Sequence, residues 1–566
     1  MSPPSALAMD ELERTIVMKL RVFMVFAVVA ALSLLTDALA ATYYIAQNGN
    51  DANPGTSISA PWRTIGKANS TLVAGDTVYI RAGSYSEQIN PVNNGTSGKP
   101  IIYGRYSSEA VSITYFSNGL PQANLSEKSY IILDGLHFLN SGGSWIRADN
   151  SLHCGIQNCK FSGYANHWRG INGNNADYIK ILNCTFADAP ACTNAPDGTC
   201  PADHVWLRAG ADYALVEGNT FGKIGHQNLN VGYPGNRNVI RNNVFENTYH
   251  TSVGLVYTGS ENRNLFENNI VKNSGSECAD NPDLSEACIP GSRFVNTFSH
   301  AGLQLGPGHN NIIRRNLFYN NGSMCFASSP SHSTMNNKIY NNTFDQEQKA
   351  FLMQNGSIDN SEFSKNTWKN NSISRTKTEG MFYNVADKVR DIQLWDNNNF
   401  FGNASTSYNG TRANDSGFLN GGMFHVSWPG QFSGNLSLDP KFVDWNTRNY
   451  NLQPNSPLID AGAWLTHIVS PTGTGKSFYV ADAAYFCDGW GIVEGDRIQL
   501  QGALDPVAIK SINYTTNMIT VDSEISWKNG DGISLPYKGA GPDVGASEYT
   551  GQSARLTPPK GVTIQK

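Results

Sequence analysis

The chain has 566 residues, 15% of them charged, with 54 glycines and a formal net charge of -5. So small a charge on so long a chain leaves no electrostatic footprint for nucleic acid. Few charges with abundant Gly and Asn point to turn-rich β structure and away from helical bundles, and the length allows several cores or one elongated repeat array.

At the N-terminus, Met18-Lys19-Leu20-Arg21 gives a positive start, an apolar run extends from Val22 to Leu35, and Ala38-Leu39-Ala40 offers a small-residue cleavage site. This is the tripartite pattern of a secretory signal peptide. The run is shorter than the ~20 residues a spanning helix needs. Residues 1–40 are therefore expected to be an extension plus signal, lost on export to leave a secreted or cell-surface chain with no membrane partner. A retained anchor is the alternative. Nine cysteines suit an oxidising compartment. Cys192/Cys200 and Cys278/Cys288 each bracket a short polar segment and read as loop staples, without zinc spacing.

An Asn-x-aromatic step recurs about every 25 residues through the middle of the chain, which signals stacked supersecondary units. It reads Asn219-Thr220-Phe221, Asn243-Val244-Phe245, Asn269-Ile270-Val271, Asn316-Leu317-Phe318, Asn342-Thr343-Phe344, Asn366-Thr367-Trp368 and Asn398-Asn399-Phe400. Cys159 and Cys184 take the Asn place in two earlier copies. Short apolar strands flank each step with no amphipathic helix between, so the fold class is all-β: a right-handed parallel β-helix solenoid. Stacked coils set equivalent residues ~4.8 Å apart. The Asn column is expected to be structural, its side chains bonding along the axis, while Cys159 and Cys184 form either a disulfide or stacked free thiols.

Counting from the Asn step locates a histidine ladder. Strands beginning at His204, His226, His250 and His300 align position by position, with Trp168 in the preceding coil. Alternation then points Leu207, Leu229, Val253 and Leu303 inward, with Ala209, Val231, Leu255 and Leu305. The outward columns become the four histidines, Trp206/Asn228/Ser252/Gly302 and Arg208/Asn230/Gly254/Gln304. Both cysteine pairs fall in long segments beside the first and fourth histidines, as walls of a groove. The bland reading is a solvated stripe. A metal held by the histidines is disfavoured, because ligands spaced along one flat sheet converge poorly on a single ion.

Such a groove suits a polysaccharide. Trp168 or Trp206 could stack on a pyranose; His204, Asn228, Asn230, His300 and Gln304 could bind hydroxyls; Arg208 and Lys349 could pair with uronate carboxylates. That pairing acidifies the C5 proton, a histidine is a base near neutral pH, and a tyrosine could protonate the leaving oxygen. The expectation is a uronate lyase with His226 or His250 as base, Tyr257 as acid and Arg208 as carboxylate neutraliser. Tyr233 is a second candidate acid. No cofactor is required, although Ca2+ stays open, and a monomer is expected. The alternatives are a non-catalytic carbohydrate-binding solenoid and a glycoside hydrolase using Asp203 with an acid from a loop.

Downstream, residues 471–540 break the period and read as a small C-terminal β insertion, following a parallel β-helix domain at 41–470 and preceding a closing strand and tail at 541–566. Gly473-Thr474-Gly475-Lys476-Ser477 mimics a phosphate loop but lacks its first glycine, Ser470 standing there.

The ends carry recognisable wording. Tyr43-Tyr44-Ile45-Ala46, Asn53-Pro54-Gly55-Thr56, Pro61-Trp62-Arg63-Thr64-Ile65 and Ala74-Gly75-Asp76-Thr77 open the mature chain; Asp439-Pro440-Lys441-Phe442, Ser456-Pro457-Leu458-Ile459-Asp460-Ala461-Gly462 and Asp543-Val544-Gly545-Ala546 close it. This pattern resembles secreted right-handed β-helix proteins of the pectate-lyase-like superfamily. The resemblance implies the fold and leaves activity among lyases, hydrolases and epimerases.

Overall fold

A computed structural model describes residues 40–551 except 118, 165–168, 189–202, 226, 233, 247, 249–251, 257–262, 275–301, 307, 329–333, 348, 356–362, 378, 385–392 and 409–410. The signal segment up to residue 39 and both loop cysteine pairs lie outside the described residues. Among those described, no helix is long and apolar enough to cross a membrane.

Short strands stack into three parallel sheets along a solenoid. Among the described residues, sheet A has 14 strands, from Thr42–Ile45 to Phe432–Ser433; sheet B has 12, from Gly83–Tyr85 to Asn399–Phe401; sheet C has 12, from Ala123–Asn124 to Thr411–Ala413, the last antiparallel to its neighbour Thr406–Tyr408. From Ile101–Arg105 onward, each coil visits A, B and C in turn. Inward side chains form one continuous core. Phe138, Phe161, Phe186, Phe221 and Phe245 of sheet B stack with ring centroids 4.5–5.3 Å apart.

The corner from A to B explains the Asn repeat. Asn219 Nδ2 and N both donate to Asn243 Oδ1, at 2.9 and 3.0 Å, and Nδ2 also donates to Ile181 O at 2.9 Å. The same bonding links Asn243, Asn269, Asn316, Asn342, Asn371, Asn398 and Asn435. Every amide thus serves backbone groups that the tight corner would otherwise leave buried and unpaired. The residue just before is left-handed and is often Asn, as at Asn183, Asn242, Asn268, Asn341, Asn370 and Asn397, because Asn tolerates that region better than other non-glycine residues.

The ladder passes through Asn371, where the repeat count placed Asn366. Asn366 closes a separate ladder at the corner before sheet A, after Asn238, Asn264, Asn311 and Asn337. The two ladders run one short strand apart, so a single Asn motif matches either. Cys159 and Cys184 are buried free thiols; Cys184 donates to Leu182 O at 3.3 Å, and its N–H bonds Asn219 Oδ1 at 2.8 Å. The stacked-thiol alternative therefore holds over the disulfide.

The opening motif caps the solenoid. Buried Trp62 stacks on Tyr43 and donates Nε1 to Asn53 O at 3.0 Å. Gly55 sits at φ +76, where a Cβ would meet the Trp62 ring at 2.4 Å. Asp51 accepts from Arg63 N, Thr64 N and Thr64 Oγ1, fixing the N-cap of helix Ile65–Thr71.

At the other end the chain folds back along the outside. A six-stranded antiparallel sheet, spanning Thr466–His467 to Gly532–Ser534, packs on the outer face of sheet A through Leu182, Leu215, Val239, Leu265, Ile312 and Tyr340. Its strand Gly473–Tyr479 contains the sequence that mimics a phosphate loop, which excludes the loop-to-helix geometry that phosphate binding requires. Phe442, Tyr450, Leu458 and Val544 pack on Leu317 at the outer face of sheet B. Among the described residues, the apolar contacts of this region fall on the outer faces of sheets A and B.

One buried acid sits at the corner between B and C. Glu347 Oε1 accepts from Asn321 N and Nδ2 at 3.2 and 3.1 Å, while Oε2 has no partner. Burial pushes its pKa up to about 8. The folded chain therefore keeps a proton that the unfolded chain releases above 4.5, and stability falls as pH rises from there to about 8. Glu347→Gln should flatten this decline: relative to the parent, its melting temperature rises by on the order of a few degrees between pH 5 and pH 9. Parallel melting curves across that range would remove Glu347 as the source.

Candidate functional site

Sheet C positions the candidate groups. Its strands Arg169–Asn174, Asp203–Arg208 and Gln227–Gly232 pair Ile171 with Val205 and Leu229, and Asn172 with Trp206 and Asn230. The next coils add Gly254 and Gln304 to this outward column, and Arg147 precedes it. Val205, Leu207, Leu229, Val231, Val253, Leu255, Leu303 and Leu305 are buried in the core as alternation requires. Ala209 departs from the pattern: it is exposed, in a left-handed turn after the strand.

The structure corrects the histidine ladder. Asp203 opposes Gln227 and Val205 opposes Leu229, so His204 falls level with Asn228, two residues from the place assigned to it beside His226. A slip of two keeps every side chain on its own face, so hydrophobic alternation cannot detect it. His204 is also fully buried, its ring centroid 5.4 Å from that of Phe186 and 6.1 Å from that of Phe221. Its Nδ1 is 2.9 Å from Asn228 Oδ1. Asn228 Nδ2 donates to Thr248 Oγ1 and Ser252 Oγ, at 2.8 and 3.1 Å. Since the amide oxygen can only accept, Nδ1 carries the proton. Burial lowers the His204 pKa to about 4, so the ring is neutral at physiological pH. His204, Asn228 and Ser252 thus form an internal polar corner, not a groove wall. His226, His250, His300, Trp168 and Tyr257 lie outside the described residues. Lys349 begins strand Lys349–Asn355.

The outward face instead gathers arginines. The guanidinium carbons of Arg169 and Arg208 lie 3.8 and 4.0 Å from the Trp206 ring centroid. Cations on the negative ring face are favourable, and here they make Trp206 a support for two guanidiniums more than an open sugar platform. Burial lowers the Arg169 pKa, opposed by the charges of Asp203 and Asp149. Asp149 Oδ1 accepts from Asn172 Nδ2, Asn174 N and Asn174 Nδ2 at 2.8–3.1 Å. Asn230 donates to Gln227 Oε1. Asn172 and Asn230 are only 7% and 3% exposed, yet the Oδ1 of each has no hydrogen-bond partner. Two orphaned acceptors flanking Trp206 in one column are suited to ligand hydroxyls.

Trp206, Asn230 and Gln304 therefore share one column, and Arg208 stands level with Gly232: the same slip of two moves Trp206 from its expected place beside Asn228 and Arg208 from its expected place beside Asn230. Arg147, Arg169 and Asn172 join them unforeseen. Asn172 could have been found by alternation from buried Ile171, but Arg169 shares the parity of Ile171, so alternation alone assigns it to the other face. Among the described residues, no three His, Cys, Asp or Glu side chains are placed to hold a metal ion.

Residues 43–199 match the family described as Pel9A-like, right handed beta helix region, and residues 122–286 match the right handed beta helix region family. An uncharacterized protein of Bacillus subtilis, YwoF, is 24% identical over 462 residues, covering 73% of this chain and 91% of that protein. Pectate lyase PEL9 of Emericella nidulans is 35% identical over 83 residues, 14% of this chain and 20% of that protein. The crystal structure of pectate lyase Pel9A aligns with a TM-score of 0.43 at 15% identity, over 91% of this chain and 98% of that one. With its three parallel sheets and inward Asn ladders the chain folds as a right-handed parallel β-helix, and over the matched residues it is similar to the Pel9A-like and right handed beta helix region families.

Proposed function

We propose that this protein is an exported polysaccharide lyase that cleaves a uronic-acid-containing polymer by β-elimination on the outer face of sheet C. The observation carrying this reading is the pair of guanidiniums, Arg169 and Arg208, gathered at Trp206 on sheet C. A guanidinium pairs bidentately with a carboxylate, and neutralising the C6 carboxylate makes the C5 proton easier to remove. In this reading His226 or His250 takes that proton, the C4–O bond breaks, a C4=C5 double bond forms, and Tyr257 returns a proton to the leaving oxygen. Asn172 and Asn230 offer their unpartnered oxygens to sugar hydroxyls. The match to a Pel9A-like region and to part of a pectate lyase adds support.

The test incubates mature protein with a panel of uronate polysaccharides and follows the ultraviolet absorbance of unsaturated products. Arg208→Ala should cut kcat/KM about 10²-fold, and His250→Ala should abolish turnover with little change in melting temperature. Reducing ends released from neutral glycans, with no unsaturated product from any uronate, would replace the lyase by a hydrolase. Binding without any product would leave a carbohydrate-binding solenoid.

A further inference from the structure

Where each sheet-C strand turns toward the next sheet-A strand, one position per coil is left-handed. Tyr130, His153, Tyr178 and Tyr213 hold it first, and their rings stack with centroids 4.5–4.7 Å apart. The column then changes character. Arg237, Arg263 and Asn310 occupy the next three coils, each two residues before paired Val239, Leu265 and Ile312. The change coincides with the arrival of Asn513, Tyr514 and Thr515, where strand Val507–Asn513 turns toward strand Met518–Trp527 of the C-terminal sheet. Between column and turn lies a cavity of about 510 Å3.

Both guanidiniums at this cavity are held in place. Arg237 Nη1 donates to the Tyr213 hydroxyl at 3.1 Å. Arg263 stands 3.8 Å over the Tyr514 ring, and the Tyr514 hydroxyl donates to Phe486 O at 3.0 Å. A brace between solenoid and C-terminal sheet would need only Arg263 and Tyr514. It leaves unexplained a second arginine on the adjacent coil and a polar cavity large enough for a sugar ring. Two positioned guanidiniums with the amides of Asn310 and Asn513 supply the donors for one carboxylate and neighbouring hydroxyls.

The geometry points to a second, non-catalytic binding site in this cavity, formed jointly by the solenoid and the C-terminal sheet, for a carboxylated sugar unit of a polymer. The cavity lies one corner beyond strand Gln227–Gly232, which carries Asn230 on the face proposed above to bind substrate. A polymer leaving the groove across that strand therefore meets it. The sugar assignment rests on the uronate reading above, whereas the preference for an anion rests on the cavity alone.

The test measures binding directly by titration calorimetry, with the full mature chain in a His250→Ala background so that turnover does not consume the probe. The probe is hexagalacturonate, with sulfate and a neutral hexasaccharide as comparators. Arg237→Gln and Asn513→Ala should each weaken hexagalacturonate about tenfold at unchanged melting temperature, and the neutral sugar should not bind. Affinity lowered by Arg208→Ala but untouched by Arg237→Gln and Asn513→Ala would overturn the cavity site while sparing the uronate reading. Sulfate competing as well as the acidic sugar would reduce the cavity to a simple anion site and overturn the sugar assignment. A parent chain that neither binds hexagalacturonate nor yields unsaturated product would overturn both.

Discussion

Arg314→Met is expected to destabilise the fold by about 3–5 kcal/mol and to loosen the C-terminal sheet from the solenoid. Arg314 projects from sheet A and is almost fully buried. Its Nε and Nη2 donate to Glu267 Oε2 at 2.9 and 2.7 Å; Nη1 and Nη2 donate to the two oxygens of Asp496, both at 2.6 Å; and Nη1 also donates to the Tyr340 hydroxyl at 3.0 Å. Asp496 belongs to the C-terminal region and accepts a bond from Cys487 N at 2.8 Å. One guanidinium thus joins two parts of the chain that are distant in sequence. Burial would raise the Glu267 pKa, and the Arg314 charge overrides it, leaving it lowered. Such a group contributes stability above its ordinary pKa that is lost as pH falls through the lowered one, so acid should also weaken this junction. Removing Arg314 leaves two carboxylates facing each other without their cation. Adding Glu267→Gln and Asp496→Asn to Arg314→Met removes that charge and should recover part of the loss. Calorimetry with limited proteolysis of residues 466–534 reads both effects. A single variant within about 1 kcal/mol of the parent, or a triple variant no better than the single, would contradict the account.

The fold was legible in the sequence because each coil must satisfy the same buried backbone groups at the same corner, and Asn does this with donor and acceptor together. That demand repeats, so a period appears. What the period cannot do is separate two Asn ladders standing one short strand apart, so it selects Asn366 where the corner uses Asn371. The site was legible in part. Alternation placed Trp206, Arg208, Asn230 and Gln304 on the outer face, but a two-residue slip preserves alternation, so His204 was drawn into a column it does not join. Its true surroundings, Phe186, Phe221 and Asn228, come from other coils and leave no local mark. Asn172 escapes notice for the opposite reason, since an outward Asn on a strand is ordinary until its neighbours are known, and Arg169 escapes it because alternation assigns Arg169 to the face of Ile171 while its guanidinium lies over Trp206. The junction at Arg314 was invisible, because Glu267 and Asp496 meet it only after the C-terminal sheet folds back.

The Asn ladder supplies the second large effect. Asn342→Ala is expected to cost about 3–5 kcal/mol, since each buried polar group left unpaired costs roughly 1–3 kcal/mol. Asn342 Oδ1 accepts from Asn316 N and Nδ2, both at 3.0 Å; Asn342 Nδ2 donates to Asn371 Oδ1 and Ile313 O, both at 3.0 Å, and to Tyr340 O at 3.1 Å. Alanine strands the Asn316 N–H and amide on one side and the Ile313 carbonyl on the other. Lost side-chain volume next to Phe318 and Phe344, whose rings stack at 4.7 Å, adds a cavity cost. The chain provides its own comparison at Cys184, where a thiol in the same column still donates to a backbone carbonyl. Asn342→Cys should therefore lose less than Asn342→Ala, and Asn342→Asp more at neutral pH than at pH 4, because an ionised carboxylate would face the Ile313 and Tyr340 carbonyls without a proton to give. Urea unfolding of the three variants at both pH values orders them. An alanine variant within about 1 kcal/mol of the parent would mean that the ladder is a consequence of the stacking and contributes little to it. The expected order, Cys milder than Ala and Asp sensitive to pH, would instead show that the corner depends on what the side chain donates as well as on what it accepts.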